Sequence, residues 1–152
     1  IMKLANIMRY ILHECSSPRI PIEKEIKIIE DYIELEKLRY DDRLTVTFEK
    51  NIENPETKIA PLILLPFVEN AFKHGAGETR FDAFIQIRLN LNENHLNFSI
   101  KNTCDEEADK LSEGIGLKNV KRQLELIYGK DYSLEIVSKS DVFVVNLEIN
   151  LE

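Results

Sequence analysis

Two pairs of alternating segments constrain the fold of this chain more than any other feature of its sequence. Residues 84–91 and 95–102 each alternate apolar and polar side chains, and a short polar turn joins them. Residues 132–138 and 142–151 repeat the pattern around a Lys-Ser-Asp turn. Alternation is typical of strands with one buried face, and tight turns join antiparallel neighbours. The sequence therefore predicts a sheet that is largely antiparallel.

Single helices separate the predicted strands. Each helical segment has one apolar side, and a glycine stops each of the two later ones. The further elements predicted are a strand at 44–49 and helices at 22–41, 66–74 and 117–128. Strand pairs separated by single helices are typical of an α/β (α+β) two-layer sandwich, with a mixed, mainly antiparallel sheet and helices on one face.

A helical hairpin is predicted to precede this sandwich. Residues 1–14 form an amphipathic pattern, a proline-containing break follows, and residues 22–41 continue as a second helix. The second helix carries a seam of isoleucines at steps of four, three and four: Ile22, Ile26, Ile29 and Ile33. The seam favours a homodimer contact, and the alternative is that both helices pack on their own domain. We expect a helical linker or dimerisation segment at 1–42 and a separate domain, the sandwich, at 43–152.

The charge balance excludes one class of partner. With 20 basic and 27 acidic residues the formal net charge is −7, whereas a nucleic-acid binder needs a basic patch. Cys15 and Cys104 show no ligand or disulfide spacing and are expected to be free thiols. No apolar run reaches membrane-span length, so we expect no membrane contact by this cytoplasmic fragment. Because the chain opens inside a helical pattern, we expect a missing upstream part with the parent protein's membrane segment.

The helix at 66–74 presents an unusual polar face. Asn70, Lys73 and His74 stand at i, i+3 and i+4 and therefore share one side. An amide oxygen suits Mg²⁺, while an ammonium and an imidazole suit phosphate oxygens. This combination suits a metal-bound polyphosphate. The alternative is a solvated last turn whose cations complement the helix dipole.

A second candidate element is Gly114-Ile115-Gly116 before the next helix. Glycines allow backbone amides to approach a phosphate, and a helix N-terminus favours anions. The polar, acidic segment 103–113 is predicted to be a mobile lid, and Asn102, at the end of the preceding strand, could read a base edge. The alternatives are glycines that only relieve strain and a strand-end turn residue.

These pieces, in this order, resemble a known family. The stretch PLILLPFVENAFKHG (61–75) resembles the N box of the GHKL ATPases in the form found in LytS/YehU-type sensor histidine kinases. GIGLKNVKRQLELIYG (114–129) resembles that family's second glycine box and following helix. MRYIL (8–12) and the segment 21–44 resemble the region between the phosphoacceptor helix and the ATPase domain.

The resemblance implies a Bergerat-type fold that binds ATP and Mg²⁺ between the N-box helix and the lid. At the matching positions, Asn70 would bind Mg²⁺, and the adjoining Glu69 would assist catalysis or orient water. The remaining nucleotide contacts implied by the resemblance are Lys73 and His74 for the phosphates, Gly114, Gly116 and Leu117 for the lid end, and Asn102 for the base.

Two departures from the family pattern stand out. The family carries an Asp and a Gly-x-Gly box at the strand end, whereas this chain has Asn102 followed by Thr-Cys-Asp. A neutral amide accepts a weaker hydrogen bond than a carboxylate. The family's phosphoacceptor lies in a Pro-His-Phe motif, and His13 does not stand in one; a helix-end position explains it better.

The leading expectation is the catalytic fragment of a two-component sensor histidine kinase. It would donate the γ-phosphoryl of ATP to a histidine upstream of this fragment, for relay to a response regulator. One alternative is a scaffold of the same fold that dimerises and signals without ATP turnover. Another is an ATP-driven clamp of the gyrase or Hsp90 kind, against which the helical hairpin before the domain argues.

Overall fold

A computed structural model describes five ranges of the chain: 18–40, 44–75, 83–103, 115–139 and 141–151, with positions 74–75 and 115–116 described by their backbone. The predicted helix at 1–14, His13, most of the lid and Gly114 lie outside these ranges. The elements are β1 (Ile20–Pro21), α1 (Ile22–Lys37), β2 (Leu44–Ile52), β3 (Lys58–Ile59), α2 (Leu65–Gly75), β4 (Ala83–Asn92), β5 (His95–Thr103), α3 (Ile115–Tyr128), β6 (Tyr132–Lys139) and β7 (Val142–Asn150).

The large sheet is mixed, as predicted. Its five strands lie in the order β2-β4-β5-β7-β6. β2 runs parallel to β4, and every other neighbouring pair is antiparallel. The strand predicted at 44–49 is longer than expected, because β2 keeps its pairing with β4 as far as Ile52, which is opposite Leu91. Both predicted hairpins are confirmed.

The core lies between one face of this sheet and the helices. Along β4 the buried side chains Ile85, Ile87 and Leu89 alternate with the exposed Gln86 and Arg88. The same alternation in β5 and β7 gives the sheet one apolar face and one polar, solvated face. The expected two-layer α/β sandwich with helices on one face is therefore confirmed. No helix among the described residues is long and apolar enough to cross a membrane.

Helix α1 packs into this same core. All four isoleucines of the predicted dimer seam are buried within the single chain: Ile22, Ile26, Ile29 and Ile33. For α1, the alternative that it packs on its own domain is therefore the one observed, because its apolar stripe already covers the core of the domain. The boundary at residue 42 and dimerisation through 1–14 stay predictions.

Helix α1 is also shorter than predicted. It ends at Lys37, and two tight turns follow, in which the Arg39 amide donates to the Glu36 carbonyl at 2.9 Å and the Tyr40 amide to the Lys37 carbonyl at 3.3 Å. The Tyr40 ring then stacks on Phe72, with centroids 6.4 Å apart. This contact joins the chain after α1 to α2.

A two-stranded ribbon, β1 with β3, joins the entrance of α1 to the segment before α2. Ile20 pairs with Ile59, and Pro21 pairs with Lys58. The sequence predicts a short strand near Ile59 but only a break at Ile20. The partner was missed because two residues are too few to show any alternation.

Candidate functional site

Helix α2 carries Asn70 and Lys73 on the side away from its buried residues, as the sequence predicts. It runs from Leu65 to Gly75, after four irregular residues, and Pro66 sits in the first turn, where no backbone donor is needed. Val68 and Phe72 are buried at 0% and 2% exposure. On the other side, Asn70 is half-buried and Lys73 is exposed. His74 belongs to the same helix by its backbone.

Helix α2 lies on the face of the sheet to which Asn102 also points. The Phe67 ring of α2 meets the Phe98 ring of β5, with centroids 6.2 Å apart. Asn102 follows Phe98 and Ile100 in the inward-facing series of β5 and is 1% exposed. The predicted phosphate end and the predicted base end of the site are therefore on the same side of the sheet.

The amide of Asn102 has a defined orientation. Its Nδ2 donates to the backbone carbonyl of Thr103 at 2.9 Å. A carbonyl can only accept, so the nitrogen occupies this side and Oδ1 points the other way. The amide oxygen is the group that the family resemblance assigns to the adenine amino group, and this orientation leaves it as an acceptor.

Helix α3 begins earlier than predicted. Ile115 and Gly116 already lie in its first turn, so the second glycine of the predicted loop is helical. Leu117 is buried at 2% exposure, as an anchor for this end of the helix. At the other end, the spacing of Leu117, Val120, Leu124 and Ile127 predicts one apolar side, but Ile127 is 36% exposed and Tyr128 is buried instead, at 7%. Gly129, with φ +52°, ends the helix as predicted.

Glu69 faces the end of α1. Loss of water around its carboxyl raises the pKa of Glu69, and the nearby Glu36 carboxylate raises it further. Glu36 itself lies 3.5 Å from the Arg39 guanidinium. Burial, and then the carboxylates of Glu36 and Glu69, also raise the pKa of Tyr32. The side chains from α1 around Glu69 are a part of the site that sequence reasoning missed.

The turn before α2 is held by buried side chains from α1 and α3. Glu25 of α1 accepts hydrogen bonds from the amides of Leu62 and Leu64, each at 3.1 Å. The Tyr128 hydroxyl of α3 accepts one from the Ala60 amide at 2.9 Å. Glu25 is fully buried. A sequence signal was present, because Glu25 stands three residues after Ile22 and four before Ile29, on the apolar side of α1.

The polar side chains of α2 fit a metal ion that binds together with a nucleotide. In the parts of the chain that the structure describes, no three His, Cys, Asp or Glu side chains converge to hold a metal ion. Mg²⁺ keeps several waters and is commonly bound through one or two protein oxygens together with substrate phosphates. The half-buried amide of Asn70 can supply one such oxygen beside the Lys73 ammonium. The role of each site residue stays a prediction.

Comparison with other proteins gives three concordant findings. A family model described as histidine kinase matches residues 1–44. Sensor histidine kinase YpdA of Escherichia coli (strain K12) is 29% identical over 140 residues, which are 86% of this chain and 25% of YpdA. Sensor protein LytS of Staphylococcus saprophyticus is 26% identical over 151 residues, 91% of this chain and 26% of LytS. The chain thus spans about a quarter of the length of these relatives.

Solved structures share the fold. The histidine kinase domain of the blue-light activated histidine kinase from Erythrobacter litoralis EL346 has a TM-score of 0.64 at 18% identity, over 86% of this chain and 61% of that one. Histidine kinase ThkA, in a complex with response regulator protein TrrA, has a TM-score of 0.53 at 16% identity, over 99% of this chain and 48% of that one. The predicted fold and the predicted resemblance are both confirmed.

Proposed function

We propose that this chain, which shares its fold and sequence pattern with sensor histidine kinases, is a catalytic region that binds Mg-ATP between α2 and the start of α3. It would donate the γ-phosphoryl group to a histidine outside this chain, for relay to a response regulator. The observation that carries the proposal is the polar edge of α2, where Asn70 and Lys73 lie on the face of the sheet that also holds Asn102.

Each end of the site has its own task. Asn70 would supply one oxygen to Mg²⁺, and Lys73 and His74 would offset phosphate charge. The first turn of α3, with Gly116, would offer backbone amides to the phosphates. Oδ1 of Asn102 would accept from the base. Bound Mg-ATP supplies the transferable phosphoryl group, so the task of the protein is mainly to position it.

Glu69 adjoins the proposed metal ligand and would take part in the transfer step. Because the pKa of Glu69 is raised, its ionised carboxylate accepts a proton more readily than the carboxylate of an ordinary glutamate does. In this position it would orient the incoming imidazole or take its proton. The relay partner is proposed from the complex between ThkA and the response regulator TrrA.

Titration with a fluorescent, non-hydrolysable ATP analogue tests the proposal. Wild-type protein should bind it in the presence of Mg²⁺, and Asn70→Ala should weaken binding by about tenfold or more, as the loss of a contact to a charged group does. Asn90→Ala, on the solvated face of the sheet, is the matched control and should bind as wild type does. Without Mg²⁺, Asn70→Ala should have little further effect.

Two outcomes would contradict this assignment. No saturable binding by the wild type would exclude the kinase proposal and favour the scaffold that signals without ATP turnover. Wild-type affinity in Asn70→Ala would leave nucleotide binding standing but refute the role of α2 in it.

A further inference from the structure

A buried carboxylate from α1 joins the start of the helix that carries Asn70. Glu25 is 0% exposed, and its two oxygens accept hydrogen bonds from Leu62 and Leu64. An ionised carboxylate is costly to bury unless several donors satisfy it. The position of Glu25 in the first turn of α1 does not explain why it is buried. The two amides that it binds belong to the segment before α2.

That segment has a backbone that needs support. Leu62 has φ +59°, a left-handed conformation that costs a non-glycine residue roughly 1–2 kcal/mol. Such conformations persist where the surroundings determine them. The amide of Leu62 itself donates to Oε2 of Glu25. The carboxylate therefore stabilises the backbone at the residue where it is least favourable.

The same segment sets the start of α2. The Leu64 amide donates to Oε1 of Glu25, and the Leu64 carbonyl accepts from the Phe67 amide at 3.1 Å. Leu64 is thus bonded to α1 on one side and to the first turn of α2 on the other. A change at Glu25 would therefore affect the position of the first turn of α2, which lies less than two turns before Asn70.

Helix α3 holds the segment from the other end. The Tyr128 hydroxyl accepts from the Ala60 amide, and the Arg19 guanidinium lies 4.9 Å from the centre of the Tyr128 ring. Burial raises the pKa of the Tyr128 hydroxyl most, and the nearby Glu25 carboxylate also raises it. Residues 60–64, here called the pre-α2 segment, are therefore fixed by α1 and α3 together.

We propose that Glu25 is a positioning residue for the nucleotide site: it holds the pre-α2 segment and thereby places Asn70 and Lys73 against the phosphates. This inference rests on the proposed Mg-ATP site. Glu25 does not touch the nucleotide. It acts on affinity through the position of α2, whereas a residue that only stabilises the fold would leave the affinity of the folded protein unchanged.

Glu25→Gln tests the inference with little change of shape. The variant keeps one accepting oxygen but turns an NH₂ group towards an amide that needs an acceptor, so one of the two bonds is lost. Glu23→Gln is the matched control, since it removes the same charge from an exposed position in the same turn of α1. The measurements are the affinity for the Mg²⁺-bound ATP analogue, at a temperature well below unfolding, and the urea midpoint.

We expect Glu25→Gln to weaken binding by about tenfold and Glu23→Gln to leave it unchanged. In the Asn70→Ala background, Glu25→Gln should weaken binding much less, because residues that act on one element are not additive. If Glu25→Gln fails to fold in buffer, both proteins are compared in trimethylamine N-oxide, which favours the compact state.

A lower urea midpoint with wild-type affinity would overturn the positioning role and leave Glu25 as a purely stabilising residue. Full additivity with Asn70→Ala would overturn it too, since the two changes would then act separately. Failure of the proposed function looks different, because the wild-type protein itself would then not bind the analogue, and the inference would fall with it.

Discussion

The rings of Tyr32 and Phe72 meet edge to face, with their centroids 5.7 Å apart and their planes at 77°. Tyr32 belongs to α1 and Phe72 to α2, and Phe72 is 2% exposed. Edge-to-face contacts of this kind add to the stabilisation that burial alone provides. The contact lies beside Glu36 and Glu69, so the end of α1 is packed directly against the helix that carries the candidate site.

This contact predicts a measurable coupling between the two helices. Tyr32→Leu and Phe72→Leu should each lower the free energy of unfolding in urea, and the double variant should lose less than the sum. The coupling should amount to about 0.5–1.5 kcal/mol. Tyr32→Leu with Phe143→Leu in β7 is the control pair and should be additive. Equal coupling in both pairs would show that the effect is not specific to the ring contact.

The Glu69 carboxyl predicts a pH-dependent stability. Its pKa in the folded protein lies above the ordinary value of 4.5, so the folded state binds more protons than the unfolded state in the pH range around and between these two pKa values. Stability should therefore fall as the pH rises from the unfolded pKa through the folded pKa of Glu69. Glu69→Gln should raise the melting temperature at about pH 7 and raise it less at about pH 4. Because Glu69 keeps contact with solvent, the gain should be small.

Glu36→Gln provides the companion measurement for Glu69. It removes the neighbouring carboxylate, so the pKa of Glu69 in the folded protein should move towards its ordinary value, and the fall in stability should end at a lower pH. A gain from Glu69→Gln that is the same at both pH values would contradict this account, because the gain would then not depend on ionisation.

The helical position of Gly116 predicts opposite effects on stability and binding. A glycine inside a helix is less favourable than alanine by up to about 1 kcal/mol, so Gly116→Ala should raise the urea midpoint. If the phosphates approach this turn, the added methyl group should weaken binding of the Mg²⁺-bound ATP analogue, and Gly116→Val should weaken it further. Affinity that stays unchanged in the valine variant would refute the placement of the phosphates at α3.

The orientation of Asn102 predicts a preference for a purine that carries a 6-amino group. With Nδ2 bonded to the Thr103 carbonyl, Oδ1 can accept from adenine but repels the 6-oxo group of hypoxanthine. Wild-type protein should bind ATP about three- to tenfold more tightly than ITP, the value of one hydrogen bond. Asn102→Ala should remove most of this preference, and competition titration measures it. Equal binding of ATP and ITP by the wild type would refute this contact.

Much of the fold follows from local pattern, and α2 shows why. Its apolar run, its polar residues at i, i+3 and i+4, and Gly75 at its end are all close together in the sequence, so the helix and its exposed edge could be predicted from these residues. The same holds for β4 and β5, whose alternation and turn lie within one short stretch. Local spacing determines these elements, because each makes its own hydrogen bonds or pairs with its neighbour in sequence.

What the sequence did not predict depends on distant contacts. The spacing places Glu25 on the apolar side of α1, but its partners Leu62 and Leu64 are more than 35 residues away in the sequence. Likewise, the spacing of Ile22, Ile26, Ile29 and Ile33 correctly predicts an apolar stripe, but spacing alone does not say which surface covers it. The stripe is buried in the core of its own domain.

The parallel pairing of β2 with β4 has a consequence for how the chain folds. β4 and β5 join through a two-residue turn, so their ladder can form early, whereas Leu44 finds Ala83 only across the long connection that contains α2. Pairings between residues distant in sequence form slowly, since the intervening chain must be ordered first. We therefore expect β2 to dock last during refolding, on a sheet and helix already in place, and its amides to gain protection from hydrogen exchange after those of β5.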